Sequence, residues 1–229
     1  MSVPPLQNPP LAPHVVATGV VSLLPWAVAG APVTGNAVSV DVAGGVETLL
    51  VQAGQPWPSP AYVPPSSLPA SDVPMLPLRL GVSSVGPVWV SGVTLWPSGT
   101  GNDGGVTVKV WNDAGTTPGQ VDAGDTLLGS GTYPGDNQPW TLSLSPKLQL
   151  TAGSTQQWLV THTVSAGTWN DTFEVRLAPA ADVAADDNTA TPTVSVNGSL
   201  LKGPTLTLAS PPSLASSVAF VGGSSGGGS

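Results

Sequence analysis

Few residues in this chain have side chains that could do chemistry. There are two histidines, His14 and His162, thirteen carboxylates, five Lys or Arg, and no cysteine. The lack of cysteine removes thiolate nucleophiles, thiolate metal sites and disulfide frameworks together. Neither histidine has a second ligand type at the i+2 or i+4 spacing of a metal site. His162 alternates with Thr161 and Thr163 in strand-like sequence, so it reads as a packed or surface strand residue and not as a base. A Ser-His-Asp site assembles in space, and no local sequence supports one. Carboxylates pair at Asp122/Asp125 and at Asp186/Asp187. Acid–base work needs one such carboxyl desolvated and raised in pKa. The Asp186/Asp187 pair sits in Ala-rich, linker-like sequence and is expected to be solvated. No catalytic residue is assigned, and the expectation is a protein that is not an enzyme.

Two well-known glycine patterns also occur. Gly99, Gly101 and Gly104 fit G-x-G-x-x-G. A dinucleotide site needs that run to open a helix, whose N-terminal amides meet the pyrophosphate. Here VTVKVW follows, which is a strand, so the run is expected to be a hairpin loop. Gly222, Ser224 and Gly226 fit G-x-S-x-G, but they lie in the low-complexity tail GGSSGGGS, far from any strand-to-helix elbow. Of the eight tryptophans, several fall in alternating strands, where core packing is the ordinary role. Trp26 and Trp57 lie in proline-rich sequence and are expected to anchor on a neighbouring surface.

The elements that must position these residues are strands. Runs such as VWVSGVTL (88–95), VTVKVW (106–111), QWLVTHTV (157–164) and TFEVRL (172–177) alternate at period two. No stretch of a dozen residues keeps a spacing near 3.6 without Gly or Pro. The fold class expected is therefore all-β, a β-sandwich. Composition divides the chain into three zones. Residues 1–75 hold most of the prolines and read as an extended arm with short strands, from which central strands are excluded. Residues 76–178 hold the regular alternation and are expected to be the sandwich core. Residues 179–229 read as linker, short strands and a flexible Gly/Ser tail.

The stretch from Trp111 to Tyr133 contains Asp113, Asp122 and Asp125 and closes on DAGDTLLGSGTY. It resembles a module of bacterial surface and secreted proteins, in which a strand and a D-x-N-G-x-G-x-x-D-A-G-D loop precede T-L-L-G-S-G-T-F/Y. The resemblance covers about residues 76–178 and implies an immunoglobulin-like sandwich with no activity attached. It also implies a Ca²⁺ site where the acidic loop is complete. Here Gly115, Thr117 and Pro118 stand where further oxygen ligands would be needed, leaving Asp113, Asp122 and Asp125. The expectation is a loop held by Asp side-chain to backbone bonds, with no cofactor.

Composition sets the function class. Gly (28) and Pro (26) make up almost a quarter of 229 residues, and only 8% are charged, where about 25% is usual. The net charge of −8 argues against a nucleic-acid phosphate binder. The apolar run from Val15 to Ala31 is interrupted by Gly19 and Pro25 and falls short of the roughly 20 residues that span a bilayer. The residues before it carry no Lys or Arg, which opposes a secretory signal. Val15, Val16, Val20, Val21, Leu23, Leu24 and Trp26 are too apolar to leave in water and are expected, with Trp57, to contact other subunits. The whole looks like a virion surface protein: a homo-oligomeric, non-enzymatic structural protein of a virus particle, of the bacteriophage capsid-decoration or other head or tail surface kind. The alternative is an exported cell-surface protein or filament subunit joined by strand exchange. A third reading is a carbohydrate-binding β-sandwich with a glycan partner.

Overall fold

In the computed structural model the described residues are 45–210. The segment with Val15, Val16, Val20, Val21, Leu23, Leu24 and Trp26, and the GGSSGGGS tail, lie outside them. The described residues are nearly all β, 51% strand and 4% helix, folded as two sheets packed into a sandwich. No helix among the described residues is long and apolar enough to cross a membrane.

In chain order the strands are β1 (Thr48–Ala53), β2 (Ala61–Tyr62), β3 (Ala70–Val82), β4 (Val88–Gly99) and β5 (Thr107–Asn112). They continue with β6 (Thr126–Thr132), β7 (Trp140–Leu150), β8 (Thr155–Val164) and β9 (Thr172–Leu177). A one-turn helix α1 (Pro179–Asp182) leads into β10 (Val183–Asp186), β11 (Ser195–Asn197), β12 (Leu201–Lys202) and β13 (Leu206–Thr207). One sheet runs β11-β1-β3-β8-β5-β6, antiparallel except for the β11–β1 pair. The other is built on β4, which pairs β7 along one edge and β10 and β9 in succession along the other. Strands β12 and β13 extend it from β9, and β2 runs parallel to β13.

Alternation explains which side chains face inward. In β9, Phe173, Val175 and Leu177 are fully buried while Thr172, Glu174 and Arg176 alternate with them. In β4 the inward set is Val88 and Val90, then Val93 and Leu95. The phase slips by one residue at a β-bulge between Val90 and Gly92, which keeps both halves of the strand facing the core. Between β9 and β10, Arg176 sits opposite Trp96 and Val183 opposite Val93. The α1 turn is thus looped out of one nearly continuous edge. Each large side chain buried here contributes about 1.5–3 kcal/mol, and Trp158, Tyr133 and Phe173 are the largest of them.

The structure differs from the sequence reading in three places. The sheets run past residues 76 and 178: Leu49 and Val51 on β1, and Leu206 on β13, are core residues. Central strands are not excluded from residues 1–75, since β1 lies between β11 and β3. Its sequence TLLVQA has no proline. Pro77 lies within β3, yet its carbonyl accepts from Gly54 N–H at 2.9 Å, just past the end of β1. Its missing donor lies on that same side, where the β1–β3 ladder ends, and so removes no bond to β8 on the other side. The glycine run at 99–104 is not a hairpin, because β4 and β5 belong to different sheets and the run crosses between them.

The tryptophans also differ from expectation. Among the described ones only Trp158 is fully buried. Trp96 and Trp111 are half-buried, their indole N–H groups donating to Asp182 (2.9 Å) and Thr161 (3.1 Å). Arg176 and Lys109 lie over their rings at 5.4 and 5.6 Å. An amphipathic ring suits that position, its apolar body covering the sheet while its N–H meets a polar neighbour.

Candidate functional site

The acidic loop joins β5 to β6 and is held by its own aspartates. Asp125 Oδ1 accepts from the N–H groups of Ala114 (3.1 Å) and Gly115 (2.9 Å), and its Oδ2 from Asp122 N–H (2.8 Å). Asp122 accepts from Thr117 N–H and Gly124 N–H, both at 2.8 Å, and from the Thr116 hydroxyl at 3.1 Å. Asp113 accepts from Gly119 N–H at 2.8 Å. The amides of Gly124 and Thr117 hold the Asp122 carboxyl below its usual range. Asp113 is pushed the other way, chiefly by burial and further by the nearby charges of Asp125 and Asp122. The three carboxylates are thus brought together, each turned onto backbone donors. Among the described residues no group of three or more His, Asp or Glu is placed to hold a metal ion.

Glycine is required inside this loop. A Cβ on Gly115 would collide with the Asp122 carboxylate, and Gly119 has φ +77° with Pro56 packed against it. That contact places the segment carrying Trp57 beside the acidic loop. Trp57 itself is 39% exposed.

A second polar constellation is buried between the sheets. His162 on β8 is wholly inaccessible, as are Asp103 in the β4–β5 loop and, nearly so, Tyr133 just after β6. The Tyr133 hydroxyl lies 3.0 Å from His162 Nε2, with the two rings edge to face at 5.5 Å. His162 Nδ1 and Asp103 Oδ1 have no hydrogen-bond partner. Burial holds the imidazole neutral, lowering its pKa to about 3. Burial likewise pushes Asp103 up to about 6, against a weak bond from Asn137 N–H and with a further push from Asp136. Tyr133 is raised by burial and by Asp103. The three side chains have almost no accessible surface, so the cluster is a buried, titratable one.

Alternation places His162 on a strand but gives no sign of its partner Tyr133 or of buried Asp103. Tyr133 is 29 positions away and Asp103 sits in the glycine run set aside as a loop. Only a charged residue flanked by glycines in that run hinted at a special position. The Asp186/Asp187 pair departs from the solvated-linker expectation: Asp186 ends strand β10, its side chain only 18% exposed and paired with Lys147 at 2.6 Å, while half-buried Asp187 is held down at about 2 by Thr189 and Thr193.

Strand β6 ends its sheet, pairs with β5 alone among the described residues, and carries no Pro, Lys, Arg, Asp or Glu in TLLGSGT. Leu127 on it is 44% exposed. Strand β7 also lies at an edge, but it contains Pro146 and Lys147, which discourage pairing. Compared with known proteins, the chain matches no protein-family model and no curated protein.

Proposed function

We propose that this chain is a non-enzymatic structural protein of a virus particle, a bacteriophage capsid-decoration protein or another head or tail surface protein, which acts through assembly contacts in the virion. The observation that carries this reading is the β6 edge, which among the described residues has no main-chain partner beyond β5 and holds Leu127 half in water, although Trp140 and Leu142 of β7 pack against its glycines. A free monomer with such an edge and only 8% charged residues invites strand pairing and association, and neighbouring subunits would cover both. Partners are other copies of the chain and adjoining head or tail subunits.

The DAGDTLLGSGTY likeness favours a second reading, an exported bacterial surface protein or filament subunit with an immunoglobulin-like domain, joined by strand exchange. Mass spectrometry of density-banded, DNA-filled particles separates the two. Recovery of the chain in many copies from those particles supports the virion reading. Recovery only from material sheared off cell surfaces overturns it in favour of the filament.

A further inference from the structure

One end of the sandwich carries a cleft of about 390 Å³ between the β4–β5 loop and the turn leading into β9. Asn102 and Gly105 stand on one wall, Ser165, Thr168 and Asp171 on the other. The space over Gly105 is open, since a Cβ there would meet nothing within 4 Å. The second wall is braced. Asp171 N–H donates to the Thr168 carbonyl at 3.2 Å, and Asn170 N–H to the Leu208 carbonyl at 2.9 Å. Asp171 Oδ2 accepts from the Thr168 N–H and hydroxyl at 2.6 and 3.1 Å. Beside the cleft, at the tip of this braced turn and outside the lining itself, stands Trp169, 56% exposed and the most exposed aromatic among the described residues.

The groups left over define the ligand. Asp171 keeps Oδ1 as a free acceptor, and Asn102, whose Oδ1 takes Gly104 N–H at 2.9 Å, keeps its amide NH₂ as a donor. The Ser165 hydroxyl can do either. No Lys, Arg or His lines the cleft, and Asp171 repels anions. An apolar ligand would strand these polar groups without partners. A neutral polyol ring satisfies all of them, because vicinal hydroxyls donate to the carboxylate and accept from the amide. Its C–H face suits an indole face that is otherwise left in water.

We propose that this cleft binds a neutral oligosaccharide, Asn102, Ser165 and Asp171 holding the hydroxyls of one ring while a neighbouring ring of the same chain stacks on Trp169 beside the cleft. The inference stands apart from the assembly reading, since a virion protein or a cell-surface subunit could each use it. The full chain is applied to a printed array of neutral hexose and N-acetylhexosamine oligosaccharides, with sialylated and uronic-acid glycans as the anionic arm. The strongest hit is then titrated by calorimetry. The expected result is binding within the neutral set, weakened about tenfold by Trp169→Ala and less by Asn102→Ala, with melting temperatures close to that of the parent. If Trp169→Ala does not fold, Asn102→Ala and Ser165→Ala carry the comparison. Binding of no neutral glycan, binding confined to anionic glycans, or affinity unchanged in the folded variants overturns the proposal.

Discussion

Asp103 and His162 are buried within one cluster, and burial moves their proton affinities in opposite directions. Asp103 holds its proton up to about pH 6 in the fold, against 3.8 ordinarily. Its contribution to stability is therefore full below 3.8 and is lost as pH rises through 6. His162 titrates near 3 in the fold, against 6.5 ordinarily, so its contribution is present above 6.5 and lost as pH falls toward 3. Between these limits the two slopes oppose each other. Asp103→Asn removes one of them. It should stabilise the protein by up to about 3 kcal/mol at about pH 7.5 and by almost nothing at about pH 3.5, read from urea unfolding at each pH. An equal gain at both pH values would show that ionisation of Asp103 is not the cause. Tyr133→Phe strips His162 Nε2 of its partner and should cost about 1–3 kcal/mol at neutral pH in the same assay. The cluster was only partly legible in the sequence. Alternation placed His162 on a strand, but Asp103 meets Asn137 across 34 positions, and no local pattern encodes that approach.

At the scale of elements, period-two alternation located the strands well, because inward and outward faces differ in the side chains they accept. It did not show which strands pair. The run 99–104 has the composition of a hairpin loop, yet it links two sheets, since adjacency in sequence does not fix partnership in a sandwich. Nor did alternation separate core tryptophans from those lying over an outer face, because a half-buried indole satisfies the same pattern. The acidic loop was legible for the opposite reason: Asx-type bonds are local, and spacing alone puts carboxylates next to amides a few residues away. That locality predicts its behaviour. Asp125 satisfies three backbone N–H groups, so Asp125→Ala should lower stability by about 1–3 kcal/mol, seen in calorimetric melting. Chelator should leave the parent's melting temperature almost unmoved. A large drop in chelator, restored by Ca²⁺ alone, would show that an ion bound to the native state holds the loop instead.

For the whole molecule, the sandwich supplies its own core. The buried apolar set runs from Leu49 to Leu208 and closes both sheets over Trp158, Phe173 and Tyr133. Val15, Val16, Val20, Val21, Leu23, Leu24 and Trp26 precede that set in the sequence and lie outside the described residues. Each is worth about 1.5–3 kcal/mol if buried, a large driving force for contact with something. Docking onto the sandwich of the same chain is one outlet. The other is contact with a neighbouring subunit, which the proline-rich run from Leu6 to Pro13 would favour if extended, at about 3 Å per residue. The two outlets give opposite results on truncation. If the arm tethers subunits, removing residues 1–35 leaves a soluble monomer with an unchanged β-rich spectrum and melting temperature, which no longer joins its assembly. Light scattering reads the monomer, and co-sedimentation with particles reads incorporation. Unfolding of the truncated chain would assign the arm to its own core, and normal incorporation would remove it from the assembly contacts.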